Sequence, residues 1–193
     1  MLIRFRLNLS FVVRDKRLLY ILNTEGKKEC DQTPLTTEQN AIKFEIRKAS
    51  MSELVPHEGV YEWHIKEIAD WIGSDGYLAR PIAVSKLDHL GPKWAGKLMI
   101  HDGHHRTAAL KRLNCTKIMV SIFNYQDPRI KVFDYNDTSI PIPKEEVVRR
   151  ATSGMEVTPR FDKHFIDVNG KLEPFHDNDV LEPVRKTPLA ELR

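Results

Sequence analysis

The 193-residue chain has room for a single domain with a buried core, and its 41% hydrophobic and 30% charged residues are ordinary for a protein that folds in water. No apolar run is long enough to span a bilayer, and arginines break up the first fourteen positions, so neither a membrane span nor a signal peptide is expected. A formal net charge of +3 does not by itself imply nucleic acid, and the two separated cysteines, Cys30 and Cys115, argue against a disulfide scaffold or a cysteine-rich zinc site and point to the cytoplasm.

Ile3, Phe5, Leu7 and Leu9 alternate with polar side chains, which predicts a half-buried strand over 2–13, and residues 18–22 predict a second. A turn-rich stretch and a short helix over 36–41 follow. Ser50 or Ser52 with Glu53 opens a brief helical turn before Pro56. Val60, Trp63, Ile65, Ile68, Ala69, Trp71 and Ile72 then make a helix with a wide apolar stripe, its tryptophans in the core and its end at Gly73 and Gly76. Strands are expected at Pro81–Val84, before Asp102, at Ile118–Ile122 and at Ile130–Tyr135, and a helix at Lys144–Thr152 stopped by Ser153-Gly154. From Asp167 the chain reads as an extended or partly ordered tail.

The chemistry concentrates between Lys97 and Leu113. Leu98, Met99 and Ile100 form a strand end, Asp102-Gly103 breaks it, and Ala108, Ala109, Leu110 and Leu113 recur at helical spacing. His104, His105 and Arg106 thus fall in a helix's first turn, where unpaired backbone N–H groups and the macrodipole favour an anion. Gly103 admits a ligand close to the backbone. Asp102 is placed to steer a proton or a metal, or simply to cap the helix. As a block, D-G-H-H-R reads as a phosphate cradle, because cations are unfavourable at a helix N-terminus with nothing negative beside them.

The run I-H-D-G-H-H-R-T-A-A-L resembles the signature of the ParB/sulfiredoxin superfamily, and within it the chain is most similar to the free serine kinase branch. Two further segments carry the likeness: Pro56-His57-Glu58, and Thr158-Pro159-Arg160-Phe161-Asp162-Lys163-His164. The resemblance implies a phosphoryl transfer from ADP or ATP, with Mg²⁺, to the hydroxyl of free L-serine or a similar small hydroxy amino acid. It implies Glu58 and Asp102 as catalytic acids, Gly103, His104, His105, Arg106 and Thr107 around the nucleotide phosphates, and His57, Tyr135, Arg160, Lys163 and His164 around the substrate. The fit is imperfect where the branch carries a hydroxyl residue and an arginine before the histidine. Here stand Asp162 and Lys163, a departure from the branch on the side where the acceptor is expected. No protein ligand cluster for a metal is read from the residues.

An α+β (α/β) fold of ParB/sulfiredoxin type is therefore expected, with a mixed sheet and flanking helices. Residues 1–44 would form a β extension packed on the core, 45–166 the catalytic domain and 167–193 the tail. The expected partners are a nucleotide and an amino acid, with a homo-oligomer compatible and neither membrane nor nucleic acid called for. A ParB-type nucleotide-hydrolysing regulator would need a helix-turn-helix that the sequence lacks after this region. Sulfiredoxin chemistry would need a cysteine where His104 stands. A nuclease, another phosphotransferase or a nucleotide-sensing module on the same scaffold stays open, since fold does not settle function.

Overall fold

Residues 42–154, 158–176 and 178–193 are described by the computed structural model. The strands expected within 2–13 and 18–22 and the helix at 36–41 lie outside them. The first element, β1 (Phe44–Ser50), ends in a single 3-10 turn at Met51–Glu53. A capping box closes that turn, the Ser50 hydroxyl accepting from the Ser52 N–H and Glu53 accepting from the Ser50 N–H. After β2 (Leu54–Val55) comes α1 (Glu62–Asp75), whose buried residues Ile65, Ala69 and Ile72 recur at i, i+4 and i+7. Trp63 lies about 200° around the helix from Ile65, and Trp71 about 200° from Ala69 and 100° from Ile72, so both face solvent, at 62% and 58% exposure. This corrects their expected place in the core. Gly73 lies inside the helix, and Gly76 alone ends it, in the left-handed conformation.

The rest of the chain gives β3 (Tyr77–Leu78), β4 (Ile82–Lys86), β5 (Leu98–Asp102), α2 (His104–Arg112), β6 (Lys117–Phe123), β7 (Ile130–Asp134), α3 (Lys144–Ser153), β8 (Asp162–Val168), β9 (Lys171–Pro174) and β10 (Thr187–Pro188). Five strands form a mixed sheet in the order β1-β6-β4-β5-β2. Its β1/β6 and β4/β5 pairs are antiparallel, and its β6/β4 and β5/β2 pairs parallel. Strands β7, β8 and β9 form an antiparallel sheet, and β10 pairs with β3. The expected mixed-sheet α/β class is what the chain adopts.

Both faces of the central sheet are covered, and strand alternation assigns each residue to one of them. Ile82, Val84, Leu98 and Ile100 pack with Ile65, Ala69 and Ile72 of α1 and Ala109 and Leu110 of α2. Ala83 and Met99 face the other way, toward Ile130 and Val132 of β7, Val147 of α3 and Ile166 of β8. His101 lies on that second side as well, since it alternates with Ile100. The segment expected to be a partly ordered tail instead carries the end of β8, all of β9 and the buried side chains Phe175, Leu181, Leu189 and Leu192. Apolar residues spaced too widely for a helix or strand pattern give no periodic signal, yet each one fills a gap in a core built by others.

Candidate active site

The strand–turn–helix at residues 98–112 is built on one backbone position. Gly103 sits at φ +99° between β5 and α2, a conformation L side chains rarely adopt. Asp102 Oδ1 accepts the Gly103 N–H at 2.8 Å, and its Oδ2 pairs with Arg106 at 2.9 Å. Thr107 turns its hydroxyl back onto the Gly103 carbonyl at 2.9 Å and is buried, so it braces the turn from inside. Helix geometry leaves the N–H groups of His104, His105 and Arg106 without intrahelical acceptors.

The two histidines of this turn hold the neighbouring loop. His104 Nε2 accepts the His57 N–H at 3.4 Å, and His105 Nε2 accepts the Tyr61 N–H at 3.0 Å. Accepting requires a free lone pair at that nitrogen, and burial moves both imidazoles toward the neutral form, strongly for His104 and less for half-buried His105. The positive charge of the D-G-H-H-R block therefore rests on Arg106. Its guanidinium is shared among Asp102, the Pro81 carbonyl at 3.1 Å and both oxygens of Glu182 at 2.8 and 2.9 Å.

Through the loop, Glu58 reaches the third segment. Its Oε2 accepts the Arg160 N–H at 3.2 Å and its Oε1 the Asp162 N–H at 3.4 Å. Arg160, itself at φ +61°, sets its guanidinium 5.5 Å from the Tyr61 ring and 5.4 Å from the Tyr135 ring. Pro56-His57-Glu58, D-G-H-H-R and Arg160–His164, far apart in sequence, thus meet at one place. Lys163 does not join them: it alternates to the other side of β8 from Asp162 and His164, its ammonium 5.5 Å from the Phe165 ring.

Beneath these groups lies a buried polar chain. His57 Nδ1 donates to the Ile100 carbonyl at 2.6 Å, and its Nε2 is 3.3 Å from Asp162 Oδ1 and 3.1 Å from Oδ2. Asp162 Oδ1 is also 3.0 Å from His164 Nδ1, and His164 Nε2 meets the Tyr125 hydroxyl at 3.0 Å and His101 Nδ1 at 3.2 Å. Ser85 closes the chain at 2.8 Å from His101 Nε2. Burial penalises the Asp162 carboxylate, but His164 and His57 beside it more than offset that and hold it well below the usual carboxylate range. Ser85, His101, Tyr125 and Glu182 escaped the sequence reading. His101 reads there as one polar residue at the end of an apolar strand, and Glu182 as one acid in a polar tail.

Glu182 supplies a measurable consequence. Its side chain is 1% exposed, and burial pushes its carboxyl up to about 8 against the pull of Arg106. A folded-state value above the unfolded one means that the native state holds the proton longer, so stability declines as pH rises from about 4.5 to 8 and then levels off. Glu182→Gln, which leaves Asp102 opposite Arg106, is expected to flatten that decline. Melting temperatures of the two proteins across pH 5–9 would differ increasingly toward the alkaline end, by roughly 2–4 °C for each kcal/mol. Parallel profiles would show that Glu182 is ionised throughout.

Of the cavities, the one of about 580 Å³ is lined by Ser85, Phe123 and Tyr125 and by none of Glu58, Asp102 and Arg106. A smaller one, about 390 Å³, is lined by residues of β9 and by His176, whose Nδ1 is 4.0 Å from Asp102.

No family model matches the chain. An ATP-dependent L-serine kinase of Staphylothermus marinus is 32% identical over 82 residues, covering 42% of this chain and 31% of that protein. One of Desulfurococcus mucosus is 34% identical over 85 residues, covering 43% and 31%. The chain therefore spans about a third of the length of these curated relatives. Among solved structures, a free serine kinase in complex with AMP superposes with a TM-score of 0.42 at 21% identity, over 49% of this chain and 36% of that one. SbnI with a C-terminal truncation, from Staphylococcus aureus, gives 0.49 at 14% identity, over 70% and 91%. The likeness to the serine kinase branch that the three motifs suggest is thus found in named relatives.

Proposed function

We propose that this chain is a phosphotransferase that moves the terminal phosphoryl group of ATP or ADP to the hydroxyl of free L-serine or a similar small hydroxy amino acid. The observation that carries this reading is the junction of motifs: Glu58 is oriented by two backbone N–H groups, on a loop bonded at two points to the first turn of α2. A carboxylate fixed beside a helix N-terminus with an arginine is what transfer to a hydroxyl requires, since positioning and electrostatics supply most of the rate.

The N–H groups of His104 and His105 in the first turn of α2 receive phosphate oxygens, and the Arg106 guanidinium turns part of its fork from Glu182 to the phosphate. Glu58 takes the proton of the attacking hydroxyl as its oxygen bonds to phosphorus. The bond from phosphorus to the leaving phosphate oxygen breaks, and that oxygen departs with the shortened nucleotide. Arg160 and Tyr135 border the side from which an amino acid would enter. Magnesium suits the carboxylate of Asp102, a hard oxygen donor of the kind it takes beside phosphates, and when bound it would neutralise phosphate charge. The pairing of nucleotide and acceptor is tested by incubating the chain with ATP, ADP or CTP against a panel of amino acids. A phosphorylated amino acid detected by mass supports the reading. Nucleotide hydrolysis that no amino acid diverts would overturn it in favour of a nucleotide-hydrolysing module.

A further inference from the structure

We propose that His57, Asp162 and His164 form a buried site for one divalent transition metal of the zinc type, separate from any ion carried by a nucleotide. The three side chains are 0%, 1% and 2% exposed, and one ligand atom from each lies within 4.8 Å of the others. Neighbouring separations of 3.0–3.3 Å between imidazole nitrogen and carboxylate oxygen match the roughly 3.3 Å edge of a tetrahedron with metal–ligand bonds of about 2.0–2.1 Å.

Two independent features favour a metal over a simple ion pair. Asp162 Oδ2 is buried and makes no hydrogen bond, although it lies 3.1 Å from His57 Nε2, which is close enough in distance but not in direction. A buried carboxylate oxygen that takes no directed hydrogen bond is open to a cation at bonding distance, and a divalent ion would take it by displacing the proton that His57 otherwise shares with Asp162. Each histidine, moreover, has its other nitrogen occupied in the way that orients a metal ligand. His57 Nδ1 faces the Ile100 carbonyl at 2.6 Å, and His164 Nε2 faces the Tyr125 hydroxyl and His101. The nitrogens left over, His57 Nε2 and His164 Nδ1, are the two that converge on Asp162.

Two imidazoles and one carboxylate suit zinc, cobalt or nickel, and suit magnesium poorly because it favours all-oxygen surroundings. The fourth position opens toward Glu58, whose Oε1 is 3.6 Å from His57 Nε2. An ion here would tie the Glu58 loop to the start of β8 across 105 residues of sequence. Asp162 is also the residue at which the serine kinase likeness breaks, so the site belongs to what is particular to this chain.

The test needs no nucleotide and stands apart from the kinase reading. The full chain, stripped with a chelator, is titrated with Co²⁺ and followed by visible absorption. The expected result is the intense band of a four-coordinate ion, saturating at one Co²⁺ per chain and bleached by Zn²⁺. Asp162→Asn and His164→Gln, with folding checked by circular dichroism, should lose it. Should either variant fail to fold, the wild-type titration decides alone. Only the weak absorption of hydrated Co²⁺, or a strong band that survives in folded Asp162→Asn, would overturn the proposal.

Discussion

Glu58→Gln is expected to lower kcat for serine phosphorylation about 10²–10⁴-fold, the usual worth of a positioned base. The amide is isosteric and keeps one oxygen to accept from the Arg160 or Asp162 N–H, so the loop should hold its place. What is lost is the lone pair that takes the hydroxyl proton. Nucleotide affinity should change little, because the phosphate donors belong to α2, and KM for serine should shift far less than kcat. Steady-state kinetics with a product assay, beside a nucleotide titration of the same variant, separates these terms. Turnover within a few-fold of wild type would remove Glu58 from the mechanism.

Gly103→Ala is expected to cost about 3 kcal/mol or more of stability. A non-glycine residue at positive φ costs about 1–2 kcal/mol. An added Cβ would also stand 2.8 Å from Ile82 Cβ and closer still to its Cγ2, in a core where overpacking costs about 1–3 kcal/mol. Ile82 is fully buried on a central strand and cannot step aside. A melting temperature lower by roughly 10 °C should result. A near-normal melting curve would mean that the turn between β5 and α2 relaxes far more easily than its packing suggests.

The strand, glycine turn and helix were legible because three local signals agree there: an apolar run, a glycine, then helical spacing. Segments named by motif, such as Pro56–Glu58 and Arg160–His164, were also within reach, though nothing local says that Glu58 would be held by the backbone of residues 160 and 162. The tryptophans of α1 mislead because composition predicts burial for Trp, while the angle from Ile65 and Ala69 decides it. Most hidden was the polar chain from Ser85 to His57. Its members come from the 56–58 loop, from β4, β5 and β8 and from the loop after β6, and only the stacking of one sheet on another brings them within hydrogen-bond reach.

The two bonds from the backbone of residues 57 and 61 to the imidazoles of α2 have a corollary for binding. A shift of that first helical turn would be passed to the loop that carries Glu58, so under the proposed function the two substrates would not load independently. Such coupling is reciprocal, so a bound nucleotide should change the affinity for the amino acid by the factor by which the amino acid changes that for the nucleotide. Calorimetry should find serine binding much weaker to the empty chain than to one already saturated with a non-transferable nucleotide analogue.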